Sequence, residues 1–287
     1  MDIYDPAYIK SVLRPLGFTF SKARGQNFLI DPEIPRRMAG YIRDMTGGAP
    51  AGVLEIGPGF GALTSALLDA SDKLAAIEVD HRLADVLESR YKERGNFTLL
   101  RGDALRVDLN ALADAQFNGL VPVAAANLPY SVTSDMIGAL IRATRYRAML
   151  LMIQREVAAR LTAPPATAEY GSFTVFARVF CETKALFDVP PQAFMPRPNV
   201  VSTVMLMTRR ESALVPEDKQ PLFFRISRAS FAMRRKTLHN ALSAAFPEFA
   251  RQAVSQKISA AGIDPGVRGE TRDISEFLRL CDTFSGT

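Results

Sequence analysis

The sequence predicts an α/β domain built on a mostly parallel sheet, followed by a smaller all-α domain. Three observations carry that expectation. Short apolar runs of strand length alternate with stretches of helical periodicity between residues 53 and 153, the pattern of successive strand–helix–strand units joined by right-handed crossovers. A polar, proline-bounded stretch, residues 211–221, then interrupts the chain, and the residues beyond it read as helix to the end. The charge changes at the same place: residues 208–287 carry 13 Lys+Arg against 9 Asp+Glu, whereas residues 1–207 carry 22 against 21. The expected division is a first domain over 1–208 and a helical second domain over 209–287.

Taken in order, residues 7–16 have the spacing of a short helix, and Lys10, Arg14, Lys22 and Arg24 follow one another with no acid between them. Residues 32–44 read as a helix with Pro32 just inside its start and Ile34, Met38, Tyr41 and Ile42 on one face. Gly47, Gly48 and Pro50 break the chain. Strands are expected at 53–56, 73–79, 97–101, 122–126 and 149–153, with helices at 62–70 and 83–91. Two more strands, 183–189 and 202–208, read as a hairpin across the sheet edge, and the loop at 162–170 reads as a mobile flap on the substrate side. In the second domain, helices are expected over 220–246, 248–261 and 273–281. On the first of these, Arg228 and Arg235 would share a face opposite Phe231, Leu238 and Leu242.

Composition narrows the function classes. With 48% hydrophobic and 23% charged residues the 287-residue chain is ordinary globular protein. Two cysteines, Cys181 and Cys281, and two distant histidines, His81 and His239, offer neither a disulfide framework nor a metal-ligand pattern, so no metal is expected. The first residues are acidic where a signal peptide is basic, and no apolar run approaches the ~20 residues of a membrane span. A cytoplasmic protein is expected. A net charge of +5, with the excess concentrated after residue 207, points to an anionic partner. The densest group is Arg225, Arg228, Arg234, Arg235 and Lys236, with no acid among them, and Arg228, Arg234, Arg235 and Lys236 are the candidates for phosphate contact.

Two local motifs carry chemistry. Glu55-Ile56-Gly57-Pro58-Gly59-Phe60-Gly61 leaves a strand and opens a helix, and its glycines allow a tight turn with close approach of a ligand to the backbone. Glu78, at the end of the next strand, stands where a carboxylate accepts both hydroxyls of a ribose. Val79 adjoins it, and Gly102, Asp103 and Ala104 end the third strand, with Asp103 placed to accept from an exocyclic amine. A nicotinamide dinucleotide explains Glu78 equally well. Glu55, which would repel a pyrophosphate, and the shortened glycine spacing favour S-adenosylmethionine, whose ammonium welcomes carboxylate and carbonyl oxygens. The second motif is Asn127-Leu128-Pro129-Tyr130, after the fourth strand. Pro129 keeps Leu128 out of the α region, freeing backbone carbonyls beside the Asn127 amide. That amide oxygen and one carbonyl would together accept two hydrogen bonds from an exocyclic amino group, and Tyr130 offers a flat face for a base.

Together these segments resemble a known family. Gly25-Gln26-Asn27-Phe28-Leu29, the glycine loop and Asn127-Leu128-Pro129-Tyr130 resemble the ribosomal RNA adenine dimethyltransferases. Three later segments sharpen the likeness toward the bacterial small-subunit branch: 194–198 leading to Val201 and Ser202, 234–240, and 267–270 with 276–278. The resemblance implies a Rossmann-like seven-stranded methyltransferase sheet with a small helical C-terminal domain. It implies S-adenosylmethionine as cofactor, held by Gln26, Asn27, Leu29, Glu55, Gly57, Gly59, Glu78, Val79, Gly102, Asp103, Ala104 and Asn127. Asn127, Leu128, Pro129, Tyr130 and Phe194 become the catalytic group, with Tyr130 and Phe194 stacking on the base. It implies dimethylation of N6 on two adjacent adenosines near the 3′ end of 16S rRNA in an immature small subunit, by a monomer without membrane association.

Overall fold

The computed structural model describes residues 2–18 and 27–285. Gln26, Lys22 and Arg24, singled out above, lie outside the described residues. The chain forms two compact units: one of residues 1–158 with 184–209, the other of 159–183 with 210–287. The second unit therefore holds residues 159–183, which the sequence pattern assigns to the first domain. The reason is burial: Tyr170, Val175 and Val179 belong to the same apolar core as Phe223, Leu242 and Phe277.

The first unit is organised on seven strands, β1 (Ala51–Ile56), β2 (Lys73–Glu78), β3 (Phe97–Arg101), β4 (Val121–Asn127), β5 (Ala148–Gln154), β6 (Cys181–Val189) and β7 (Ser202–Arg209), in the order 3-2-1-4-5-7-6. The pairs β1–β2, β1–β4, β2–β3 and β4–β5 are parallel and β5–β7 is antiparallel. The last two strands are neighbours, as a hairpin requires, but the later one is the inner strand and β6 forms the edge. Every residue of β1 is buried, as are six of the seven in β5, the continuous apolar run of strands covered on both faces.

Helices α1 (Pro6–Leu13), α2 (Glu33–Gly40), α3 (Ile42–Thr46), α4 (Ala62–Ala70), α5 (His81–Tyr91), α6 (Leu109–Gln116) and α7 (Thr133–Arg142) complete this unit. The single helix expected over 32–44 is two, because the ladder is interrupted at Gly40 and Tyr41. Pro32 is the N-cap residue of α2 rather than its first turn. Side chains set other boundaries: Asp80 accepts from the Arg82 amide at the start of α5, and Asp108 from Asn110 and Ala111 at the start of α6, each satisfying an orphan donor. Helices α6 and α7 fill stretches to which the sequence pattern assigns no element.

In the second unit, α8 (Arg155–Thr162, entering from the first unit) and α9 (Ser172–Phe180) are followed by α10 (Gln220–Ala232), α11 (Leu238–Ala245), α12 (Arg251–Ala260) and α13 (Ile274–Ser285). The helix expected over 220–246 is broken at 233–237. Met233 leaves the helical region at φ −125°, and Thr237 starts α11 by accepting from the Asn240 amide. Arg234, Arg235 and Lys236 therefore sit on a turn, and Arg235 shares no helical face with Arg228. At the end of the 162–170 loop Tyr170 is buried and its hydroxyl donates to the Arg272 carbonyl at 3.0 Å.

Candidate active site

The strand order reverses between β1 and β4, and a ligand crevice is expected there, at the carboxyl ends of the strands. A cavity of about 430 Å³ lies at that place, within the usual range for small-molecule sites. Its wall takes in Asn27, Leu29, Glu55, Gly57, Gly59, Glu78, Val79, Gly102, Asp103 and Ala104, together with Asn127, Leu128, Pro129 and Tyr130. Ala76 and Ala125 stand in register beside Glu55 on the two neighbouring strands. Gly57 adopts φ +66°, and a Cβ added there would meet nothing within 4 Å. The left-handed backbone, rather than crowding, demands glycine at this position, and the result is a bare backbone surface on the cavity wall.

The acids are held in different ways. Glu78 is buried, with Oε2 accepting from the Gly59 amide at 3.0 Å and Oε1 from the Asp80 amide at 2.9 Å. Both oxygens are thereby aimed, and each keeps a lone pair for an incoming hydroxyl. Burial raises its pKa, against the lowering effect of the two amides. Glu55 is also buried, and its Oε2 has no hydrogen-bond partner. Burial pushes its carboxyl up to about 8, and the neighbouring Glu78 adds to the rise. Asp103 accepts from the Leu105 amide at 3.0 Å through Oδ1, while Oδ2 faces Arg106 at 3.7 Å across an exposed surface. An orphaned buried carboxyl oxygen beside a bare glycine backbone suits a cationic ammonium, which favours its ionised form, better than it suits a pyrophosphate.

At the end of β4 the Asn127 amide donates from Nδ2 to the Asn27 carbonyl at 3.2 Å, which leaves Oδ1 as the acceptor presented to a ligand. The following turn is fixed at several points. Leu128 N donates to the Met152 carbonyl, and the Pro129 carbonyl accepts from Val132 N and from the Thr133 hydroxyl. Among the described residues no donor reaches the Leu128 carbonyl, so it, rather than that of Pro129, is the backbone acceptor beside Asn127. Tyr130 is half-buried, its hydroxyl 3.0 Å from the Ser202 hydroxyl on β7.

Residues 17–285 match the family model described as ribosomal RNA adenine dimethylase. The chain belongs to that family. It is 40% identical over its whole length to the ribosomal RNA small subunit methyltransferase A of Shouchella clausii, covering 97% of that protein. It is 38% identical to the protein of the same name from Streptococcus thermophilus, over 99% of this chain and 98% of that one. Among solved structures, a dimethyladenosine transferase from Plasmodium falciparum superposes with a TM-score of 0.73 at 25% identity, over 88% and 95% of the two chains. The 23S rRNA methyltransferase ErmE superposes with 0.66 at 23%, over 89% and 98%, a likeness of fold.

In this member of the adenine dimethylase family one expected site residue is elsewhere. Phe194 does not line the cavity. It is 3% exposed and packs in the core of the first unit, because the two-residue strand Phe194–Met195 pairs antiparallel with Phe28–Leu29 and turns the ring inward. It presents no face to a base in this conformation. The sequence also groups Arg142, Arg145, Arg147, Arg155 and Arg160; none of them is among the residues lining the cavity, and Arg145 pairs with Asp114 at 2.7 Å. No group of three potential metal ligands occurs among the described residues, nor any helix long and apolar enough to cross a membrane.

Sequence reasoning missed Ser202 as part of the site; its only signal was a place in a shared motif. Its hydroxyl holds the Tyr130 ring through a hydrogen bond to the phenol. Ser202→Ala is expected to lower kcat/KM for RNA by about tenfold, the worth of roughly one hydrogen bond, with cofactor affinity unchanged. Steady-state kinetics and calorimetry on the same preparation check it.

In the second unit the basic candidates separate. Arg225 is engaged within the fold, paired with Glu248 at 2.9 Å and lying 4.0 Å from the Phe246 ring centroid. Arg234 pairs with Glu270 at 2.7 Å. Arg228, Arg235 and Lys236 are exposed and have no ion-pair partner among the described residues. Of the four predicted phosphate contacts, these three remain free to make one, and Arg234 is committed to its own unit.

Proposed function

We propose that the chain is an S-adenosylmethionine-dependent rRNA adenine N6-dimethyltransferase of the small ribosomal subunit. In the finer reading it modifies two adjacent adenosines near the 3′ end of 16S rRNA in the immature subunit, as a cytoplasmic monomer. The observation that carries the reading is the pair of acceptors, Asn127 Oδ1 and the Leu128 carbonyl, at the rim of the cavity that holds Glu55 and Glu78. Relatives named for the small subunit at 38–40% identity support that choice of RNA.

S-adenosylmethionine, when bound, supplies the methyl group. Glu78 would take the ribose hydroxyls, Asp103 the exocyclic amine of the cofactor's base, and Glu55 with the Gly57 backbone the methionyl ammonium. The adenine N6 is a poor nucleophile because its lone pair is delocalised into the ring. Asn127 Oδ1 and the Leu128 carbonyl, accepting its two hydrogens, favour a pyramidal nitrogen with the lone pair directed at the methyl carbon. Tyr130 stacks on the base and holds it in plane. No general base is required before transfer, since the proton leaves a cationic secondary or tertiary amine readily. Catalysis is then mostly orientation, worth about 7 to 11 kcal/mol at best.

Methyl transfer to undermethylated small subunits, compared with large-subunit RNA, tests the reading. Label confined to the large-subunit RNA would overturn it. Calorimetry with S-adenosylmethionine and with a nicotinamide dinucleotide separates the two cofactors. For the basic turn, Arg235→Ala with Lys236→Ala is expected to weaken subunit binding and make its salt dependence shallower, by about 0.7 to 0.9 in log–log slope for each phosphate no longer neutralised, at unchanged cofactor affinity. Filter binding at several salt concentrations reads the affinity and the slope.

A further inference from the structure

The basic turn at 233–237 is held by an acid. Arg234 Nε donates to Glu270 Oε2 at 2.7 Å, and its Nη2 donates to the Tyr170 carbonyl at 3.1 Å. The Glu270 backbone carbonyl accepts from Ala166 N at 3.0 Å, so one residue joins the turn to the 166–170 loop by both side chain and main chain. The segment before it is pressed onto the same place. A Cβ on Gly269 would fall 2.5 Å from the Ser230 Cβ and 2.6 Å from its carbonyl oxygen, on the last turns of α10. On the far side of the turn, Leu238 N donates to the Val267 carbonyl at 2.6 Å and His239 N to the Pro265 carbonyl at 3.2 Å, at the start of α11. Residues 265–270 thus grip the chain on both sides of the basic turn, and Glu270 closes the grip.

We propose that Glu270 is a positioning residue for RNA binding: through Arg234 it sets the conformation of the 233–237 turn that presents Arg235 and Lys236. This rests on the reading that the turn contacts rRNA. The consequence runs against simple electrostatics. Removing a carboxylate beside a basic surface should strengthen attraction to a polyanion. If the acid shapes the turn instead, its removal scatters two cations that must meet phosphates at fixed spacing, and binding weakens.

Undermethylated small subunits are the probe, with the full-length protein, in filter binding at several salt concentrations. Glu270→Gln is expected to weaken binding about fivefold and to make the salt slope shallower, toward that of the Arg235→Ala/Lys236→Ala variant. S-adenosylmethionine affinity stays at the wild-type value. Placed in the Arg235→Ala/Lys236→Ala background, Glu270→Gln should add no further loss, because nothing remains for it to position. Glu270→Asp, which keeps the charge, should recover part of the slope. Equal or tighter binding by Glu270→Gln overturns the inference, and so does the same loss in both backgrounds, which would mark a general structural role. If Arg235→Ala/Lys236→Ala alone leaves affinity and slope at wild type, the RNA reading of the turn has failed and the positioning role falls with it.

Discussion

Asn127→Ala is expected to lower the rate of methyl transfer by about two to three orders of magnitude, the usual cost of removing one oriented polar group from a transition state. Cofactor affinity changes by only a few-fold, since Glu78 and the glycine turn keep their geometry without the Asn127 side chain. The substitution removes the Oδ1 acceptor and also the hydrogen bond that Nδ2 donates to the Asn27 carbonyl. Asn127→Asp separates the two effects. It keeps an acceptor oxygen but sets a second oxygen against the Asn27 carbonyl, so it retains part of the rate at the cost of cofactor affinity. Single-turnover methylation of undermethylated subunits, with calorimetry on the same variants, distinguishes these outcomes. Undiminished turnover by Asn127→Ala would show that orientation of the amino group by this side chain is not how the site works.

The second large effect is on stability and cofactor binding together. Glu55 has a folded pKa of about 8 against an ordinary value of 4.5, raised by burial. A carboxyl raised in the folded state contributes stability that is full below the unfolded pKa and is lost as pH rises through the folded one. The cofactor-free protein should therefore lose stability progressively from about pH 4.5 to about pH 8, at about 1.4 kcal/mol per unit of pKa difference. Glu55→Gln should remove most of that slope and raise the unfolding midpoint at pH 8. Glu78, also raised by burial, leaves a residual slope of the same sign. Binding of a cationic ammonium favours ionised Glu55, so S-adenosylmethionine affinity should climb over the same pH window in the wild type, with proton release on binding. Urea unfolding from pH 5 to pH 9 and calorimetry in buffers of different ionisation heat measure both. Identical stability slopes in wild type and Glu55→Gln would remove Glu55 from the account.

Much of the site was legible in the sequence because its chemistry is local. A glycine turn between a strand and a helix, an acid at the end of the next strand and a proline after Asn127 each act through the conformation of a few consecutive residues. Spacing alone therefore placed Gly57, Glu78, Asp103, Asn127 and Tyr130 on one cavity wall. Phe194 shows the limit. Its motif is as distinct as the others, but whether the ring faces a ligand or the core depends on pairing with Phe28–Leu29, a segment far away in the chain. The break at 233–237 was hidden for a related reason: apolar spacing runs on through Phe231, Leu238 and Leu242 as though one helix continued, and all three still reach a common core from two helices.

The sequence alone was enough for the seven strands of the large sheet, the identity of the chemical groups and the sign of the charge in the C-terminal region, because periodicity, turn chemistry and charge are properties of neighbouring residues. Tertiary structure decided which of those groups are free to act. It buried Glu55 between Ala76 and Ala125 and so altered its protonation. It drew residues 159–183 into the second unit. It tied Arg234 to Glu270 and to Tyr170, 36 and 64 positions distant, while leaving Arg235 and Lys236 exposed beside it. Burial and long-range pairing depend on which distant segments meet, and that is settled only when the whole chain packs.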